Sequence, residues 1–469
     1  MSNNYDVVII GSGPGGYVAA IRAGQLGLKT AIIEKDENEQ LGGTCLLRGC
    51  IPTKAMLQTA DLIAKMEHSE DFGITTENPA VDMDKMATYR NRVVKKNAGG
   101  VKYLMKKNDV DVHFGHGRIA GEGKISVTGA DGEETMLETK HCVLATGSAC
   151  RHLPFIEMDH ERIIDSDDLL KMTEKPEHLV VMGAGAVGSE FASVFLRYGS
   201  EVTLIEMQDR ILPVEDEEVS AEIEKSFNKQ GMRVMTSSKV TDVERDGDAV
   251  HIVVEKEGED AEKIEASHLL VSVGRRPVTD DCGLDKTSLE VDDGGYVEVD
   301  KYMQTDEDWI YAIGDITPTP WLAHVASHEG ILAIEHLAGE DAHPINYDHI
   351  PMCTYCSPEV ASVGLTEQEA KDRGYEVKTG KFPFSAIGKA AIMNQTEGFV
   401  KIVSEEKYDE LLGLHIIGPK ATELITEGTV AMELESTTLE ILHTVHPHPT
   451  LSEAVGEAAH AVLGETIHI

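Results

Sequence analysis

Val7-Val8-Ile9-Ile10-Gly11-Ser12-Gly13-Pro14-Gly15-Gly16 stands near the start of the chain, and Leu179-Val180-Val181-Met182-Gly183-Ala184-Gly185-Ala186-Val187-Gly188 repeats its pattern further on. Four consecutive apolar residues fit a parallel strand buried on both faces. A helical pattern through Ala19, Ala20, Ala23 and Leu26 follows the first copy. A second strand, Thr30-Ala31-Ile32-Ile33, then ends at Glu34. In the second copy a helix leads to Val202-Thr203-Leu204-Ile205, ending at Glu206. The acid follows the first glycine by 23 residues in both copies.

Each copy has what a dinucleotide site needs. The first glycine makes the tight turn, the second lets backbone approach a pyrophosphate, and the third lets helix pack on strand. The helix N-terminus faces the phosphates, and the acid accepts hydrogen bonds from a ribose. Gly11, Gly13, Gly16 and Glu34 therefore predict one dinucleotide, and Gly183, Gly185, Gly188 and Glu206 a second. Two such cofactors that exchange electrons point to FAD and a nicotinamide. Glu206 would repel a 2′-phosphate, and Arg210 alone is no arginine pair, so the expected nicotinamide is NAD.

The chain has 469 residues, enough for about three domains. Its net charge of −40 excludes nucleic acid and anionic membranes as partners. The acidity fits a well-solvated surface, a basic protein partner or a salty habitat, and charge runs such as Glu215-Asp216-Glu217-Glu218 read as solvated faces. No apolar run approaches the length of a membrane span, and no basic segment precedes an apolar core at the start. A cytoplasmic location is expected. Seven cysteines, an odd number in a long chain, disfavour a structural disulfide framework and favour reactive roles for some.

Leu41-Gly42-Gly43-Thr44-Cys45-Leu46-Leu47-Arg48-Gly49-Cys50-Ile51-Pro52-Thr53-Lys54 holds the pair of interest. Helical residues five apart are slightly too distant for a disulfide, so the segment must distort, and Gly49 makes distortion cheap. Pro52 reads as an early helix position, which puts Cys50 near a helix start, where a thiolate is favoured. Nearby ligands for a metal are lacking, so none is expected. Cys353 and Cys356 fall in a strand-like run from Met352 to Val363, where residues three apart face opposite ways. The pair looks like a redox motif, but that geometry disfavours a redox role, and Cys142, Cys150 and Cys282 read as packing residues.

Taken together, GSGPGGYVAAIRAGQLGLKTAIIE (11–34), GGTCLLRGCIPTK (42–54), LATGS (144–148), MGAGAVGSEFASVF (182–195), AIGD (312–315), PEVASVGLTE (358–367) and HPHPTLSE (446–453) resemble the dihydrolipoyl dehydrogenase family of class I pyridine nucleotide-disulfide oxidoreductases. The likeness runs essentially end to end. It implies that Cys45 is the interchange thiol and Cys50 the thiol against the flavin. It implies a Lys54–Glu190 ion pair beside flavin and nicotinamide. Thr146 and Gly147 would close on FAD, Gly314 and Ala323 would line its site, and Asp315 would hydrogen-bond its ribitol. Gly274 would border NAD. His448 would be the general base, oriented by Glu453. Leu47, Arg48 and Val325 depart from the family's usual residues, which puts potential and rate, but not class, in question.

Read from the residues alone, a disulfide reductase needs a base with a pKa near neutrality, and His443, His446 and His448 all qualify. Pro447 and Pro449 fix the backbone of His448, and the resemblance also selects it. The expected architecture is α/β. Two Rossmann-like dinucleotide-binding domains, for FAD (1–150 and 278–344) and NAD (151–277), precede a C-terminal α+β dimerisation domain (345–469). The implied partners are a lipoyl domain, the acyltransferase core of a 2-oxo acid dehydrogenase complex, and a second copy of the chain. The rival is an FAD-dependent reductase of another small, glutathione-like disulfide. It would usually want arginines after Glu206, which are not evident.

Overall fold

A computed structural model describes residues 3–469. The chain divides into two compact units. The first gathers the chain up to Ala55 with Asp84–Arg151 and Gly274–Tyr347; the second gathers Met56–Met83, His152–Val273 and Asp348–Ile469.

In the first unit the Asn4–Ile10 strand lies between the parallel strands Thr30–Glu34 and Glu134–Leu144, with Asp111–Phe114 beyond Thr30–Glu34. The long Glu134–Leu144 strand divides its edge. Its C-terminal end pairs with Ile310–Ala312 in parallel, and its N-terminal end pairs with Lys124–Thr128 in antiparallel. The apolar runs are continuous because both faces are covered. Val7, Ile9, Ile32 and Val143 meet Ala19, Ala20 and Ala23 of the Pro14–Gln25 helix on one face. Val8, Ile10, Ala31, Ile33 and Leu144 pack on the other. The Ala323–Ala338 helix crosses Pro14–Gln25 closely, and a side chain at Gly330 would stand 2.6 Å from the carbonyl oxygen of Gly15.

The second unit holds a second parallel sheet, in the order Arg233–Met235, Glu201–Ile205, His178–Met182, His268–Val271 and Ile163–Ile164. An antiparallel meander, Ser238–Asp246, Ala249–Lys256 and Glu262–Ala266, adds to it. A five-stranded antiparallel sheet then runs Met352–Thr354, Glu359–Gly364, Leu411–Gly418, Phe399–Glu405 and Val377–Pro383. It forms a core with the Ala421–Glu433 and Glu453–Val462 helices through Phe382, Val400, Leu414, Ile416, Ile425, Val455 and Ala458. Parallel α/β sheets followed by an α+β layer are the architecture expected.

Two local expectations fail. The Met352–Val363 run is not one strand. It breaks into Met352–Thr354 and Glu359–Gly364, with Cys356 buried in the turn between them, so alternation does not govern the two cysteines. The acidic run 215–218 is not simply a solvated face. Glu215 and Asp216 are buried, and Lys401, itself buried, bridges Asp216 at 3.0 Å, Glu218 at 2.8 Å and Glu367 at 2.8 Å. Burial works against the Lys401 charge, but these carboxylates hold its pKa above the ordinary value. Among the described residues no such cation pairs with Glu215. Burial, with Asp216 and Glu369 adding repulsion against a hydrogen bond from Ser362, pushes its carboxyl up from 4.5 to about 7.

Between those two values the folded chain keeps a proton that the unfolded chain has lost, so Glu215 makes stability fall as pH rises from about 4.5 to about 7. Glu215→Gln should flatten that part of the profile and stabilise the protein above it. Lys401→Met should cost about 3–5 kcal/mol, because Asp216 is left buried without its cation. Denaturant unfolding across the pH range checks both, and a wild-type slope unchanged in Glu215→Gln refutes the first.

Candidate active site

The two glycine loops are built alike, each within its own unit. Gly11 has φ +105° and Gly183 φ +98°. A side chain at Gly11 would collide with the carbonyl of Ala145, and one at Gly183 would stand 2.6 Å from that of Ser272. Side chains at Gly16 and Gly188 would collide with the carbonyls of Gly11 and Gly183 themselves. The middle glycines differ. Nothing lies within 4 Å of a Cβ built at Gly13 or Gly185, and each caps its helix without a side-chain partner. The loops are closed against the protein at the outer glycines and open at the middle one, where a pyrophosphate would pass over unsatisfied helix N–H groups.

The two acids brace these loops. Glu34 accepts the Ser12 N–H at 3.1 Å and the Ser12 hydroxyl, and Glu206 accepts the Ala184 N–H at 2.8 Å. Ser12 and Ala184 each follow the first glycine. The second oxygen of each acid takes the N–H two residues on, from Asp36 at 3.0 Å and from Gln208 at 2.9 Å.

Ser12, which sequence reasoning passed over, is fully buried, and its hydroxyl also accepts the Gly42 N–H at 3.1 Å. It thereby ties the first loop to the start of the cysteine segment. Cys45 lies half-buried in the Gly43–Arg48 helix, and Cys50 is exposed at the start of the Cys50–Glu67 helix. Gly49 is the break between them, with φ −144° and ψ −115°. A side chain there would stand 2.9 Å from the Thr44 carbonyl oxygen and 3.1 Å from the Cys45 Cα. The glycine lets the second helix start close enough for the sulfurs to interact. A hydrogen bond with Cys50, then burial, pushes the Cys45 thiol well above its ordinary pKa, while the Lys54 charge pulls it down.

Thr146 donates its hydroxyl to the Val278 carbonyl, and Val278 returns its N–H to Gly147 at 2.8 Å. Asp315 sits in a short turn after Ile310–Ala312 and accepts the Ser148 hydroxyl, which Arg275 holds from behind at 2.7 Å. Gly314, at φ +71°, precedes it, and Ala323 is the first residue of the Ala323–Ala338 helix. Gly274, at φ +104°, accepts the Arg151 N–H at 3.1 Å in the same unit.

In the second unit Glu190 is buried on the Ala186–Arg197 helix and accepts the Tyr355 N–H at 3.0 Å. His448 and His446 differ sharply. The His446 side chain is 10% exposed and tied to Glu427 at 2.6 Å, a hydrogen bond that raises its pKa despite burial. The His448 side chain is 77% exposed, and its Nδ1 meets Glu453 Oε1 at 2.8 Å. The other Glu453 oxygen accepts the Thr450 N–H at 2.9 Å. Burial pushes the Glu453 carboxyl up, but that N–H and His448 outweigh it and hold the pKa below the usual value. With Nδ1 engaged, Nε2 is the ring atom left for chemistry.

Residues 5–330 match the family model described as pyridine nucleotide-disulphide oxidoreductase, and residues 350–459 match that of its dimerisation domain. The chain belongs to the pyridine nucleotide-disulphide oxidoreductase family. It is 47% identical to the dihydrolipoyl dehydrogenase of Bacillus subtilis over all of both chains. It is 42% identical to the mitochondrial dihydrolipoyl dehydrogenase of Pisum sativum over all of this chain and 93% of the other. The crystal structure of LpdA from Mycobacterium tuberculosis superposes with a TM-score of 0.90 at 28% identity, covering 97% of this chain and 98% of that one. As an oxidoreductase of this family it uses FAD and NAD, and the two open glycine loops fit two dinucleotides. The dimerisation match agrees with large apolar side chains left exposed in the C-terminal segment, among them Ile392, Val430, Leu434 and Val445. No described helix is long and apolar enough to cross a membrane.

Because the protein leaves room above Gly185, Gly185→Ala should fold and keep its flavin while weakening NAD binding by about tenfold or more. Gly188→Ala should damage the fold itself. NAD titration alongside thermal unfolding separates the two outcomes, and unchanged NAD affinity in Gly185→Ala removes the loop from the site.

Proposed function

We propose that this oxidoreductase reoxidises protein-bound dihydrolipoyl groups of a cytoplasmic 2-oxo acid dehydrogenase complex with NAD. The observation that carries this reading is the two-thiol centre of Cys45 and Cys50, broken at Gly49, in a chain alike from end to end to dihydrolipoyl dehydrogenases. In the oxidised enzyme the pair is a disulfide. A substrate thiolate attacks Cys45 and displaces Cys50 as thiolate. The second substrate thiol then displaces Cys45, leaving a cyclic disulfide product and a reduced pair. His448 takes the substrate's proton at Nε2, with Glu453 holding Nδ1. Bound FAD supplies the two-electron relay from the dithiol to NAD.

Gly11, Gly13, Gly16, Glu34, Thr146, Gly147, Gly314, Asp315 and Ala323 would hold the flavin side. Gly183, Gly185, Gly188, Glu206 and Gly274 would hold the nicotinamide, and Lys54 and Glu190 would stand between the two. The base belongs to the dimerisation segment, so His448 of the partner subunit would serve each cysteine pair. The lipoyl domain and the acyltransferase core are the partners this reading requires. The acidic surface suits a basic docking domain whose association slows as salt rises.

Steady-state assays with dihydrolipoamide should show turnover with NAD and little with NADP, whereas faster reduction of glutathione with NADPH would overturn the reading. His448→Gln should slow dihydrolipoamide turnover by about 10²–10⁴-fold while sparing electron transfer from NADH to a dye.

Inactive Cys45→Ser and His448→Gln chains, mixed, should regain activity as heterodimers. No recovery after verified subunit exchange places each site within one chain.

A further inference from the structure

Glu329 is a carboxylate with no part in the chemistry above, yet it is fully buried. It sits on the inner stripe of the Ala323–Ala338 helix, next to Gly330, whose backbone meets the first glycine loop at Gly15. Its two oxygens are directed at different places. Oε2 accepts the Gly314 N–H at 2.7 Å, and Oε1 accepts the Tyr347 hydroxyl at 3.0 Å. Gly314 has φ +71° and directly precedes Asp315, and its carbonyl accepts the Thr317 hydroxyl at 2.7 Å. The turn that presents Asp315 is therefore held from below by Glu329 and from the side by Ser148. Burial pushes the Glu329 carboxyl upward, against hydrogen bonds from Thr319, Gly314 and Tyr347 that favour its charge.

We infer that Glu329 is a positioning residue for the flavin: by accepting the Gly314 N–H it fixes the turn that aims Asp315, and by its place beside Gly330 it couples that turn to the pyrophosphate loop. The inference rests on the FAD reading above. What matters is an acceptor oxygen at this point, not a negative charge. Loss of the acceptor leaves a buried N–H unpaired and frees the turn to rotate toward other partners.

Three variants separate the possibilities. Glu329→Met keeps the volume and removes the acceptor. Glu329→Gln keeps an amide oxygen for Gly314 and can give its NH₂ to the Tyr347 oxygen. Tyr347→Phe removes one of the two side-chain donors and leaves the Gly314 bond intact. FAD dissociation is measured by flavin fluorescence on the purified dimer, and the flavin potential by redox titration. Glu329→Met should release FAD at least tenfold more readily, with a shifted potential. Glu329→Gln should restore most of both, and Tyr347→Phe should stay near wild type. Wild-type affinity and potential in Glu329→Met would overturn the inference, as would a Gln variant as impaired as Met. If Glu329→Met does not fold, the Gln and Phe variants decide alone: a Gln variant that loses FAD, or a Phe variant that loses more than Gln, overturns it. Failure of wild type to bind FAD would refute the functional reading itself, a separate result.

Discussion

The carbonyl oxygen of Gly11 lies where a side chain at Gly16 would have to be, and the carbonyl oxygen of Gly183 stands in the same relation to Gly188. This close approach of a turn to the first helical turn after it is what both halves of the chemistry depend on. It brings each helix N-terminus to the carboxyl end of its strand, the place where an open parallel sheet receives ligands. It also forces φ positive at the first glycine, which only glycine adopts without strain. Ala19, Ala20 and Ala23 can lie flat on Ile9 and Ile32 because the third glycine has let the helix in.

The acidic side chains that do the most structural work are those that accept backbone N–H groups. Glu34 and Glu206 brace the two glycine loops, Glu190 holds Tyr355, Glu329 holds Gly314, and Glu453 holds Thr450. Such bonds are charge-assisted and directional, so each acid fixes one turn of chain. Lys401 answers a cluster of acids in the interior, and the carboxyl of the neighbouring Glu215 is pushed up by burial. The net charge of −40 thus mixes two populations. A minority of acids are internal braces, and the remainder set the long-range field.

Period and punctuation carried most of the fold. Both strand–turn–helix modules stand where their apolar runs and glycines put them, with Glu34 and Glu206 at equivalent places. The break at Gly49 and the helix start at Cys50 were equally legible, because a glycine between two cysteines five apart allows little else. What escaped was anything decided by tertiary neighbours. Ser12 is one polar residue in a glycine loop until Glu34 and Gly42 converge on it. The run 215–218 looks like solvated charge until Lys401 arrives from a strand nearly two hundred residues on. Pro358, two residues after Cys356, is a signal for a turn inside the run from Met352 to Val363 that period-2 alternation does not register. Glu329 had a trace in the sequence: it shares a helical stripe with Val325, Ala326, Leu332 and Ala333, so an acid occupies an apolar face.

The proton inventory of the reduced cysteine pair joins these parts. A thiol that hydrogen-bonds to a neighbouring sulfur holds its proton more tightly, which is the first cause of the raised Cys45 pKa. Cys50 begins a helix, where backbone N–H groups favour negative charge. The Cys45 environment favours its proton, while the helix start at Cys50 favours negative charge. In the proposed reaction a dithiol substrate brings two protons, and a pair of this kind would keep one of them. The other would leave through a base that a second copy can bring to the substrate sulfur, with a ring nitrogen free. His446 fails on burial and on its engagement with Glu427, whereas His448 is exposed, with Glu453 fixing which nitrogen is free. The exposure of His448 in the single chain is therefore what its proposed role requires: a ring sealed in its own subunit could not reach the cysteine pair of a second copy.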